Sequence, residues 1–354
     1  MSDPNQRPTP GRLRDSIRAG THDETVAYLD RLADADADTR KRILRAVREV
    51  ADEDPTSLDG LAEPLAAFLT DEERAVRLTT AKTLVAVAEH DPDGVVPVVD
   101  TLAARLADET AFYYVRARCA EALGYVAVER PDAVADPATL ADLRVGLSFD
   151  QREVREKLAK ALAHVALGDP SRLRHQVASL ADHLGDDADL VRYHLCTALV
   201  VIGCEYPERL DEAESALRDR LAAEEPDEDP YVRGRAAEAL GLLAGSEAGL
   251  TSVPDLDVVP SDDDPPSFLT DRLGFCRSRR HGAPAGSSET AEASESSEPS
   301  ESSTASVGTV ASVREGTEAV VAEMTAPDGE ECPSCGLTLP NGGPPTCPGC
   351  GAPR

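Results

Sequence analysis

Four cysteines near the end of the chain have the type and the spacing to do chemistry. They read Cys332-Pro-Ser-Cys335, eleven intervening residues that begin with Gly336, then Cys347-Pro-Gly-Cys350 followed by Gly351. Tetrahedral Zn2+ takes soft thiolates at about 2.3 Å, and two turns carrying two Cys each supply four of them with little strain. The Gly after each pair permits the tight turn that aims backbone N–H groups at sulfur. Every position is Cys, so no coordination site is left for a substrate. The expected cofactor is therefore a structural Zn2+ on Cys332, Cys335, Cys347 and Cys350. The other thiols, Cys119, Cys196, Cys204 and Cys276, are scattered, which is not a disulfide framework. Cys119 and Cys196 fall beside apolar positions and read as small buried hydrophobes. Cys276 is followed by Arg277, Arg279 and Arg280, charges that would lower its pKa if its segment were mobile and the thiol exposed. His164 and His194 lie in apolar helical stretches and read as packing histidines. There is no Gly-rich phosphate loop, Gly-x-Ser-x-Gly elbow or His-x-x-x-His pair, so no residue is assigned a catalytic role and the chain is read as a non-enzyme.

The elements that carry these residues follow from an internal repeat. A dipeptide recurs at Val76-Arg77, Val115-Arg116, Val154-Arg155, Val191-Arg192 and Val232-Arg233, with Thr39-Arg40 as a degenerate first copy; the Arg-to-Arg intervals are 37, 39, 39, 37 and 41 residues. Fifteen residues after each of the first five Arg stands Pro55, Pro92, Pro131, Pro170 or Pro207. Between Arg and Pro, Val47, Leu84, Leu123, Leu162, Leu199 and Leu240 occupy offset +7, and Val50, Val87, Val126, Val165, Ile202 and Leu243 occupy +10. These offsets, with small residues at +4 and +6, lie on one helical face. The spacing predicts a helix of about 15 residues in each repeat, ended by the Pro. A second amphipathic stretch precedes each dipeptide, for example 95–109 and 171–187. One such pair cannot bury its apolar stripe, whereas six stacked pairs over about residues 20–246 bury a continuous one, with 10–19 as an N-terminal cap.

The pattern resembles the HEAT repeat family, in particular its short PBS lyase type, over about two thirds of the chain. The resemblance implies an all-α fold, a right-handed α-solenoid of about six helix pairs. It also implies that Arg77, Arg116, Arg155, Arg192 and Arg233 join an Asp/Arg ladder between turns and are structural. Some relatives in that family are iron-dependent hydroxylases with repeated His-Glu pairs, and others are bilin lyases. Here none of the seven His is followed by Glu, and no residue is tied to bilin chemistry. The cysteine module resembles zinc ribbons and double zinc knuckles. Rubredoxin-like iron sites share the paired turns, but the aromatic core expected there is missing.

Three segments emerge: a solenoid over 1–246, an acidic Ser/Pro/Glu-rich disordered linker over 247–327, and the four-Cys module over 328–354. The linker is too polar to offset chain entropy, apart from two apolar islands. One is 267–282 and the other carries Val310, Val313, Val320, Val321 and Met324. The chain holds 66 Asp and Glu against 36 Lys and Arg, a net charge of -30. This balance resembles proteins of salt-accumulating archaea, where carboxylates keep a screened surface hydrated. The first twenty residues contain no apolar signal stretch and no long apolar run follows, which points to a cytoplasmic protein with no membrane contact.

Against that charge, the second helix of each repeat is enriched in cations. Offset +2 carries Arg42, Thr79, Arg118, Lys157, His194 and Arg235, and +5 adds Arg45, Lys82 and Lys160; all four Lys of the chain lie in these helices. These offsets alternate with the apolar ones, so the side chains are expected to project away from the core. In HEAT-type solenoids second helices line the concave face. The function expected is a protein-interaction scaffold or adaptor that docks an acidic segment through Arg42, Arg118, Lys157 and Arg235. A nucleic-acid-associated regulator is the alternative. It is disfavoured by the overall charge and by a 328–354 module whose one cation is Arg354.

Overall fold

A computed structural model describes residues 9–221, 229–250, 266–280 and 306–325, together with 332, 346, 347 and 353. The chain forms two compact units. Unit 1 comprises Met1–Asp169 with Thr325–Arg354, and unit 2 comprises Pro170–Met324. Unit 1 contains α1 (Pro10–Arg18), α2 (His22–Ala33), α3 (Ala37–Glu53), α4 (Ala62–Ala66), α5 (Arg74–His90), α6 (Pro92–Val95), α7 (Val99–Ala107), α8 (Tyr113–Glu129), α9 (Pro137–Val145) and α10 (Arg152–Gly168). Unit 2 contains α11 (Val177–Ala181), α12 (Asp189–Glu205), α13 (Glu214–Leu221), α14 (Pro230–Ala244), α15 (Ser267–Arg280) and α16 (Val310–Met324). Among the described residues there is no strand, only the single antiparallel bridge Thr346↔Pro353. The fold is an all-α helical repeat.

The repeat grammar dictates the boundaries. Each long second helix (α3, α5, α8, α10, α12 and α14) begins two residues before its dipeptide, and the first five end two residues before the punctuating Pro. The residue preceding that Pro leaves the helix, with φ/ψ of -150/89 at Asp54, -130/82 at Asp91 and -154/99 at Asp169. Clash with the Pro ring excludes αR there. The Pro then opens the next short segment, where a missing N–H costs nothing. The dipeptide Val is 0 % exposed in all five copies, and Leu84, Leu123, Leu162, Leu199 and Leu240 at +7 are equally sealed. A Cβ on Gly124 would meet the Ala161 Cα at 2.8 Å, so α8 and α10 approach as closely as small residues permit. The first helices, expected as single amphipathic stretches, are broken instead. Over 92–107 the chain runs α6, a 3-10 turn from Val96 to Val98 and then α7, because Pro97 lacks the donor a continuous helix needs.

The repeat arginines are structural, mostly by a route other than a ladder. Arg40 pairs with Asp71 of the following repeat at 2.6 Å, a ladder rung. Arg116 Nε donates to the Leu106 carbonyl at 2.7 Å, and Arg155 donates to the Phe149 and Asp150 carbonyls at 3.0 Å. Arg77 and Arg192 do the same to Asp71 and Asp186. Each thus satisfies carbonyls left orphaned where the preceding first helix ends.

α1 packs on α3 through buried Leu13 and Ile17, with Arg18 and Glu53 paired at 2.6 Å, as expected of an N-terminal cap. In unit 2 both apolar islands are helices packed on repeats: α15 lies against α14, and α16 against α12. This corrects the reading of Cys276. The thiol is fully buried, and burial pushes it up to about 11 although Arg280 and Arg277 pull the other way. Cys119 and Cys196 are buried as read from the sequence.

Candidate functional site

Within unit 1, α3 packs on α5, α5 on α8 and α8 on α10, so the second helices stand side by side. Offsets +2 and +5 are one helical turn apart and share a face. Across the four helices they carry Arg42 and Arg45, Thr79 and Lys82, Arg118 and Glu121, Lys157 and Lys160.

Glu121 organises this stripe. Its side chain is 3 % exposed and accepts from Arg118 Nη1 at 2.7 Å, Lys157 Nζ at 3.0 Å and Lys160 Nζ at 3.4 Å. Lys160 also donates to Tyr125 Oη at 2.6 Å, and that hydroxyl donates to Glu89 at 2.7 Å. Burial by itself would raise the Glu121 carboxyl; Lys157, Arg118 and Lys160 together overcome it and hold the group well below the usual carboxylate range. Burial lowers the Lys157 ammonium, opposed by Glu121. His164 sits below, its ring 4.9 Å from that of Tyr125. Burial, and next Lys160, lower it to about 3, and its Nδ1 has no hydrogen-bond partner. His164 is therefore a neutral packing residue. Three cations surround Glu121, Glu153 lies close to Arg118 and Lys157 as well, and the cation side chains stay part-exposed: those of Lys157, Arg118 and Lys160 are 30, 21 and 18 % exposed.

Unit 2 repeats the pair in the same register. Arg235 at +2 and Glu238 at +5 on α14 are joined at 2.7 Å, both side chains 0 % exposed. The second cation comes from α15, with Arg272 Nε 2.9 Å from Glu238. The Gly308 N–H donates to Glu238 at 2.9 Å, and Arg235 donates to Thr317 Oγ1 of α16 at 3.3 Å.

Of the four residues expected to meet a partner, Arg42 is exposed and Arg118 and Lys157 are part-exposed but committed to Glu121. Arg235 does not project to any surface, because α15 and α16 cover the position where an alternating pattern would place it in solvent. Of the expected metal ligands, Cys332 and Cys347, one from each pair, are both 2 % exposed, and the Thr346↔Pro353 bridge brackets the second pair. Cys335 and Cys350 lie outside the described residues. No group of three or more His, Cys, Asp or Glu placed to hold a metal occurs among the described residues. Among them, too, no helix is long and apolar enough to cross a membrane.

Glu121, Tyr125 and Glu238 are the residues that sequence reasoning missed. A signal existed: repeats three and six place Glu at +5, three residues after a cation at +2, where other copies carry a cation or Thr.

Comparison with known proteins agrees on the fold. One engineered protein of known structure superposes with a TM-score of 0.60 at 21% identity, covering 77% of this chain and 74% of that one. A second engineered protein gives 0.54 at 21% identity, over 63% of this chain and 98% of its own. Designed armadillo repeat proteins are also similar, for example one with a TM-score of 0.48 and 17% identity, covering 66% of this chain and all of its own. No protein-family model matches the chain. No curated protein matches it either.

Proposed function

We propose that the chain is a non-enzymatic protein-interaction scaffold, whose unit 1 stripe docks an acidic segment of a protein partner and whose C-terminal cysteines hold a structural Zn2+. The observation that supports the stripe is the cluster of cations at Glu121. Arg118, Lys157 and Lys160 converge there with part-exposed side chains, while Arg42 and Arg45 extend the same offsets along the face of a chain whose net charge is -30. A partner carboxylate reaching Lys157 and Arg118 would find donors already held in place by Glu121, which lowers the ordering cost of binding.

Reversing Arg118 and Lys157 would strip Glu121 of its partners and confound folding with binding. The informative variant reverses Arg42 and Arg45 to Glu, leaving the cluster intact. An Asp/Glu-rich synthetic peptide, followed by fluorescence anisotropy, is expected to bind the unmodified chain and to bind R42E/R45E at least about tenfold more weakly. Equal affinity for the two proteins removes this face as the site.

For the metal, the burial of one Cys from each pair supports thiolates shielded from solvent. Protein made in zinc-replete medium should carry one Zn2+ per chain by elemental analysis, and Cys347→Ser should lose it. Absence of zinc from the unmodified protein overturns the assignment.

A further inference from the structure

The second-helix face that is part-exposed among the described residues of unit 1 has a covered counterpart in unit 2, and the cover is a short piece of this chain. α16 contributes three buried residues, Val313, Thr317 and Val320, at i, i+4 and i+7. Polar anchors hold both ends: the Gly308 N–H meets Glu238 at 2.9 Å, the Gly308 carbonyl accepts from Cys204 Sγ at 3.5 Å, and Tyr231 Oη bonds Glu323. Gly308 has φ +85, and a Cβ there would lie 2.4 Å from the Phe275 ring, so only Gly passes under α15 at this point.

Three features mark this cover as removable. Its apolar footprint is small for an element of a core. Together with α15 it seals the Arg235 guanidinium, yet Arg235 Nε has no hydrogen-bond partner, a desolvation cost that departure of α16 would reduce. The strong pairs under it, Arg235–Glu238 and Arg272–Glu238, are made by α14 and α15 and survive without it. The unit 1 counterpart, Arg118–Glu121, shows that such a pair is stable with its cation part-exposed.

We propose that the face built by α12 and α14 is a helix-binding site occupied in cis by α16. Its partner in trans is an amphipathic helix with small β-branched residues at i, i+4 and i+7, the middle one carrying a hydroxyl for Arg235. Recognition is of the helix-in-groove kind, with the cation at +2 as the central polar anchor. A partner helix must outcompete the tethered one, so apparent affinity is lowered by the fraction of chains in which α16 is docked. This site is separate from the unit 1 stripe, and failure of acidic-peptide binding there leaves it untouched.

The test uses the full chain and a fluorescent peptide of residues 306–325 as the probe. Val313→Asp places a charge on the buried face of α16 and should undock it without altering α12 or α14. That variant is expected to bind the peptide at least tenfold more tightly than the unmodified chain, and a peptide carrying Val320→Asp should not bind. Gly308→Ala is the second, milder variant, strained at φ +85 and crowded by Phe275, and serves if Val313→Asp proves unfolded by circular dichroism. Equal binding to modified and unmodified chains, or no binding to a folded variant, overturns the proposal.

Discussion

Glu121 and Glu238 occupy the same offset in repeats three and six, each three residues after an Arg, each fully or nearly buried, each gripped by a cation from the next helix. They differ in what surrounds the cations. Around Glu121 the cation side chains are 18 to 30 % exposed, so a small movement lets them exchange a lost partner for water. Around Glu238 the side chains of Arg235 and Arg272 are 0 and 7 % exposed and cannot. Neutralising a carboxylate is therefore the same local act in both places with different consequences, because the penalty for breaking a buried pair falls on the group left behind.

The comparison breaks if the two glutamates respond alike. Glu238→Ala leaves two enclosed guanidinium groups unpaired and should destabilise unit 2 by about 3–5 kcal/mol in denaturant unfolding. Glu121→Ala frees cations that rehydrate, so unit 1 should lose only about 1–3 kcal/mol. A larger loss at Glu121 than at Glu238 would mean that cation exposure is not the deciding variable. A smaller effect sharpens the picture of the unit 1 site through pH. His164 has a folded pKa lowered to about 3 from 6.5, so between those values the unfolded chain takes up a proton that the folded one refuses. Stability should therefore fall as pH drops below about 6.5, by at most about 1.4 kcal/mol per pH unit. Glu121, also depressed, adds loss below its unfolded value of 4.5. His164→Leu should flatten the slope between pH 6 and 5 while leaving the acid limb due to Glu121. An unchanged slope in that variant would assign the upper limb to another group.

Much of the fold was legible because the repeat writes it redundantly. Val at -1, Leu at +7 and Pro at +15 from the Arg mark inner face and end in separate ways, and the structure follows all three. The breaks in the first helices were less legible, since an apolar period reports a face and not continuity, and Pro97 sits inside an otherwise regular stretch. The stripe was half legible. Its offsets were right, but Arg42 and Arg235 share an offset and lie respectively in solvent and in the core. What separates them is the cover that α15 and α16 supply, Phe268 and then Thr317, the latter 82 residues after Arg235 in the chain, which no local pattern encodes. Charge counting also hid Glu121 and Glu238 by treating carboxylates as solvation, although each is the centre of its cluster.

α15 has a bearing on how such arrays could be lengthened or shortened. It places Leu269, Arg272, Leu273 and Cys276 against α14 and turns Thr270, Asp271, Gly274 and Ser278 outward, so it meets the last repeat as another second helix would while offering nothing apolar beyond it. Terminal units of repeat proteins need such a polar far side. Because α15 grips α14 through Glu238, Gly234 and Gly241 while α16 packs on α12, the segment from α12 onward is a portable stop. Copies could be inserted or deleted upstream of it during evolution or by design without rebuilding the terminus.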